Sequence, residues 1–169
     1  MAWTTPGTAT AGQVLTASFW NEQVRDNMLE LAPLFGAWTS YTPTLRQGVS
    51  TNITKTVTYA AYVKIGRLAI VQVRLDATGA GTAGSNVEVT LPSAVVPVGA
   101  SGNAGTFGFG QIYDVSTGTN YAATVRAVST TAVSFNGDWS GTAYWGNTPN
   151  LAVANGDQFH FAYVCETTT

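Results

Sequence analysis

Residues Thr56 to Ala77, TVTYAAYVKIGRLAIVQVRLDA, constrain the fold more than any other stretch. The half after Gly66 is rich in β-branched residues and alternates at period two towards its end, the signature of a half-buried strand. Before the glycine, Val57, Tyr59, Ala61 and Val63 share one face of an extended chain. The segment therefore reads as two antiparallel strands joined by a tight turn at Ile65-Gly66-Arg67. A hairpin of this length with an apolar face must bury that face against further β structure.

The rest of the chain supplies it. Trp38 to Leu45 alternates, with Pro43 marking an edge or a bend. Asn86 to Leu91 is a short strand stopped by Pro92. Thr106 to Tyr113, Tyr121 to Val128, Ala132 to Asn136 and Gln158 to Glu166 give four more, separated by clusters of Gly, Asn, Ser and Thr. With no crossover helices for parallel pairing, the expected domain over 36–169 is mainly β, an antiparallel sandwich of jelly-roll type. The Gly79 to Gly84 run lacks the Lys and Ser/Thr of a phosphate loop and reads as a flexible hairpin tip.

Ahead of that domain the pattern differs. Residues 1–14 hold Pro6, Gly7 and Gly12 among threonines and alanines, without a helical or strand period, and read as an extended arm. From Thr16 a short helix is expected within 15–35, capped by Thr16 or Ser18 and ended by Pro33. Trp20, Val24, Met28 and Leu31 form one apolar stripe with Asn27 beside it, while Glu22, Arg25, Asp26 and Glu30 keep largely to the other side. A helix this short needs a partner. It could be the chain's own β-domain or the same stripe on neighbouring subunits.

Composition narrows the function classes. Charged residues are only 9% of the 169, against about 25% in an ordinary soluble domain, and the formal net charge is −2. With no Lys/Arg cluster, nucleic acid and an anionic membrane are not expected partners. No signal peptide is read in the first residues, and no stretch approaches the ~20 apolar residues of a membrane-spanning helix. Cys165 has no second cysteine for a disulfide or metal site, and its place in an alternating strand makes it a buried thiol.

No catalytic, metal or cofactor site is expected. His160 is the only histidine and falls inside a strand, so a serine-hydrolase triad has no base on a loop. Asp76, Asp114, Asp138, Asp157 and Glu166 are scattered, and Asn136-Gly137-Asp138 and Asn155-Gly156-Asp157 are turn sequences. No calcium loop occurs. One constellation fits a ligand: Trp139, Tyr144 and Trp145 crowd a small, polar segment, where aromatic faces beside hydroxyls could hold a glycan, form a subunit contact or cap the domain.

Two sets of residues carry a resemblance. Tyr59-x-x-Tyr62-x-x-Ile65-Gly66-Arg67 with Val71-Gln72-Val73, and Trp3-Thr4-Thr5-Pro6 with Ala11-Gly12-Gln13-Val14 and Asn21-x-x-Val24-Arg25-Asp26-Asn27, resemble short structural proteins of tailed bacteriophage virions. Phe19-Trp20 departs from the smaller aliphatic pair common there. The resemblance implies a non-enzymatic virion component, assembled in the host cytoplasm and commonly trimeric. A homotrimeric capsid decoration protein would contact the major capsid protein through Trp3, Thr4, Thr5 and Pro6. The stripe Trp20, Val24, Asn27, Met28 and Leu31 would join the subunits. The alternative is a tail-fibre or tail-tip protein binding host surface glycans through Trp139, Tyr144 and Trp145.

Overall fold

The computed structural model describes residues 7–8, 11–12, 14, 16–29, 38–48, 52–99, 106–137, 144–148 and 150–168, with only the backbone at 106 and 107. The chain forms two compact units, Met1–Trp38 and Thr39–Thr169.

In the first unit, helix α1 (Ala17–Trp20) starts at Thr16, whose Oγ1 accepts the Phe19 amide proton at 3.2 Å. This satisfies one of the amides left free at a helix start. The helix then widens into a π-helical stretch, Asn21–Asp26, before an α-helical turn at 27–29. Such a widening shifts the residues beyond it around the axis relative to an unbroken α-helix.

The second unit contains β1 (Thr39–Ser40), β2 (Leu45–Gln47), β3 (Asn52–Ile53), β4 (Lys55–Ile65), β5 (Leu68–Ala77), β6 (Val87–Thr90), β7 (Thr106–Asp114), β8 (Thr119–Ser129), β9 (Ala132–Asn136) and β10 (Gln158–Glu166). All pairs are antiparallel. The mainly β, antiparallel expectation is therefore what the chain adopts. The layout differs from two facing sheets, because the strands join one sheet in the order β1-β4-β5-β10-β7-β8-β9-β6-β2-β3.

That sheet closes on itself, and the reason lies in the segment with Pro43. β1 pairs with β4, and the Tyr41 amide continues the contact by donating to the Ala60 carbonyl at 3.1 Å. Three residues later the same segment has changed neighbours. The Thr44 amide donates to Thr90 Oγ1 at 2.7 Å, and β2 pairs with both β3 and β6. The two ends of the strand order thus belong to one bent segment, 39–47, and to the segment 52–65 that follows it. A closed antiparallel sheet of about eight staves has an interior just wide enough for side chains to fill.

Large aromatics fill it. Phe135, Phe159, Tyr163 and Trp145 are fully buried and Phe161 nearly so. Phe135 meets Phe159 and Phe161 at centroid distances of 5.5 and 5.6 Å, and Trp145 stands edge-on to Phe159 at 5.8 Å. Room for these rings comes from two glycines on β7. A Cβ on Gly110 would lie 2.9 Å from Phe161 Cβ, and one on Gly108 2.9 Å from Val125 Cβ. On β5, Ala69, Val71, Val73, Leu75 and Ala77 point inward by simple alternation.

Two local expectations are corrected. Val57 and Tyr59 were expected on one face, yet Val57 pairs with Leu75 and Tyr59 with Arg74, so Thr58 is an extra residue in a β-bulge. The bulge sends Tyr59 outward and leaves Val57, Ala60 and Tyr62 on the core side. The glycine run 79–84 is not a hairpin tip, because β5 and β6 are not neighbours. It is a packed connection in which the Gly81 amide donates to the Val153 carbonyl at 2.8 Å and Gly84 to Gly146 at 3.0 Å.

Gln47 ties that connection down. Its side chain is 1% exposed. Nε2 donates to the Ser85 carbonyl at 3.1 Å and the Leu151 carbonyl at 2.7 Å, while Oε1 accepts from the Val153 amide at 2.9 Å. A buried carboxamide with its groups satisfied ties two connections together, the one holding Ser85 and the one holding Leu151 and Val153.

Candidate binding surfaces

Trp3, Thr4, Thr5 and Pro6 lie outside the described residues, as do Leu31 and Trp139. Of the arm, Gly7 is described, and its amide donates to Gln23 Oε1 on the helix.

The helix stripe is only partly one surface. Trp20 is 55% exposed and Met28 65%, with Val24 half-buried between them. Asn27 is buried, and its Nδ2 donates to the Gln23 carbonyl at 3.2 Å across one helical turn. Leu29, which the α-helical stripe omitted, is 49% exposed, and Val14 ahead of the helix is 81% exposed. The outward apolar set among the described residues of the first unit is therefore Val14, Trp20, Met28 and Leu29.

Of the aromatic trio, Tyr144 and Trp145 fall among the described residues. Trp145 has no exposed area and belongs to the core, wedged against Phe159. Its amide donates to the Phe135 carbonyl at 2.9 Å, which pins its backbone to β9. Tyr144 is half-buried beside it, bridging to Asn136.

Two carboxylates, Asp114 and Asp157, are withdrawn from solvent. Asp157 is fully buried; Oδ1 accepts from the Val115 amide at 2.9 Å and Oδ2 from the Ala154 amide at 2.8 Å. Burial pushes its pKa up, and the nearby Asp114 adds to this, while the two amide bonds hold it back. Asp114 Oδ1 accepts from the amides of Ser116 and Thr117 and from the Ser116 hydroxyl. These are turn clamps at the shared end of β7 and β10. Burial raises the Cys165 thiol to about 11, so it stays protonated at neutral pH. Among the described residues no three His, Cys, Asp or Glu side chains gather to hold a metal.

The outer face of β4, β5, β10 and β7 has a different character. Cross-strand pairing lays Tyr59, Arg74, His160 and Gln111 in one row, and Ala61, Gln72, Ala162 and Phe109 in the next. Because Ala162 is short and its neighbours are long, a depression of about 600 Å³ forms over it. Phe109 is 72% exposed on one rim and Tyr59 45% on the other. A smaller polar hollow adjoins it, lined by Gln111, Tyr113, Asn120, Gln158 and His160.

His160 lines both hollows, and its Nε2 is buried with no hydrogen-bond partner. Burial lowers its pKa, Arg74 lowers it further, and Asp76 opposes them. The imidazole is therefore neutral at pH 7. Sequence reasoning treated His160 as a structural strand residue and missed the surface. The available signal was the outward phase of otherwise apolar strands, occupied by Gln72, Arg74 and His160.

No family model, curated protein or solved structure matches the chain.

Proposed function

We propose that the chain is a non-enzymatic structural protein of a tailed-bacteriophage virion, a homotrimeric capsid decoration protein held on the major capsid protein through its N-terminal arm. The observation that supports it is the outward apolar set of the first unit, with Trp20 55% and Met28 65% exposed on a helix of few turns. Helices this short draw their stability from packing, and surfaces of this kind mark association sites. The β-unit offers no long free strand edge for assembly, since its sheet closes and its terminal strands are two residues each. Self-association therefore falls to the helix, and the resemblance of the arm and hairpin to virion proteins supplies the trimer and the particle.

Light scattering on the purified protein should give a trimer at micromolar concentration. The pair Val24→Asp and Met28→Asp should give a smaller species with an unchanged β spectrum. Removing residues 2–14 should leave the oligomer and its melting temperature intact while abolishing attachment to particles that lack the protein. A monomeric parent protein would end the trimer proposal, and undiminished attachment by the truncated chain would end the arm's role.

A further inference from the structure

We propose that the depression over Ala162 binds an uncharged carbohydrate. The first reason is the placement of Phe109. Its strand turns Gly108 and Gly110 toward the core and leaves the ring 72% exposed, an arrangement that gives up apolar burial at a position packing did not require to be aromatic. The second is the geometry of the rims. Phe109 on β7 and Tyr59 on β4 stand three strand spacings apart, roughly 14 Å, enough for a short oligosaccharide to lie between two ring faces. The apolar C–H face of a pyranose stacks on such rings.

Between the rims the chemistry matches hydroxyls. The Gln72 and Gln111 carboxamides each donate and accept, as a sugar hydroxyl does, and His160 Nε2 is buried without a partner. Among the described residues Arg74 is the lone ionic side chain lining the hollow, too little charge for a nucleic acid. A second copy of the chain would favour continuous apolar contact, whereas here polar side chains separate the two rings. A volume of about 600 Å³ lies within the range of small-molecule sites. The site belongs to the β-unit, so the inference holds for a head or a tail placement alike.

The test is calorimetric titration of the full-length protein with neutral gluco-, galacto-, manno-, rhamno- and N-acetylhexosamine oligosaccharides, and with oligogalacturonate as an acidic probe. At least one neutral probe should bind with a millimolar or tighter Kd. Phe109→Ala, checked for an unchanged circular dichroism spectrum, should weaken it about tenfold or more. Gln111→Ala should weaken it less, through lost hydrogen bonds. No neutral binding up to about 10 mM would overturn the proposal. So would binding unaffected by both Phe109→Ala and Tyr59→Ala, or a preference for oligogalacturonate that Arg74→Gln removes. Conversion of a self-associated form to a smaller one by Phe109→Ala, without any sugar binding, would assign the hollow to a second copy instead. None of these readouts uses virions, so their failure is distinct from failure of the decoration proposal.

Discussion

The two units of this chain use their tryptophans in opposite ways. In the β-unit Trp145 has no exposed surface and helps fill a closed sheet, whereas in the N-terminal unit Trp20 leaves 55% of its surface in solvent. Both residues were read from the sequence as contact-forming aromatics. The difference teaches that the β-unit buries Trp145 within its own chain, while the helix leaves Trp20 largely on its surface.

The sharpest way to break this comparison is to truncate one aromatic in each unit. Phe159 touches both Phe135 and Trp145 in the centre of the barrel, so Phe159→Ala should destabilise the β-unit by about 3–5 kcal/mol. Trp20→Ala should change the β-unit's unfolding free energy by less than about 0.5 kcal/mol. Chemical denaturation followed by near-ultraviolet circular dichroism reads both. A large loss from Trp20→Ala would mean that the helix is part of the β-unit's core.

Most strands were legible because alternation survives wherever one face is buried, as in Ala69-x-Val71-x-Val73-x-Leu75 and Phe159-x-Phe161-x-Tyr163. What was not legible depended on information outside the local pattern. The Thr58 bulge has no sequence mark and reverses the face of Tyr59. Closure of the sheet required one short segment, bent at Tyr41 to Thr44, to pair on both sides, which periodicity cannot report. The depression escaped notice because its residues come from four strands and meet only through register. The helix stripe was drawn with an α-helical period that the π-helical stretch interrupts.

A finer test uses two adjacent residues on β7 that face opposite ways. A methyl on Gly110 would stand 2.8 Å from the His160 carbonyl and 2.9 Å from Phe161 Cβ, both closer than ordinary contact. Gly110→Ala should therefore cost about 1–3 kcal/mol by overpacking. Phe109→Ala, removing a ring that is mostly in solvent, should cost under about 1 kcal/mol. The ordinary expectation for Phe and Gly is the reverse. If Phe109→Ala proves the more damaging of the two in the same denaturation assay, the ring is not a solvent-facing one and the two faces of β7 have been exchanged.

The smallest effect concerns pH and tests whether the β-unit answers for its own stability. His160 has its pKa lowered from 6.5 by burial and by Arg74 on β5, against the pull of Asp76 on the same strand; its paired neighbour on β7, Gln111, is uncharged. A depressed value means that the folded state binds the proton less readily than the unfolded one. Stability associated with the neutral imidazole is thus present above pH 6.5 and is lost as pH falls through the lower folded value. Asp157 runs the other way, since its raised value favours the folded state below 3.8 and that advantage is lost as pH rises through the raised one. The variant His160→Gln isolates the histidine, because Asp157 remains in both proteins. Thermal melts of the parent chain from pH 7.5 down to pH 5 should show a modest loss of midpoint that the variant lacks, and deleting residues 2–14 should leave both curves in place. A pH dependence that persists in His160→Gln but disappears on the deletion would move the titrating contact out of the β-unit.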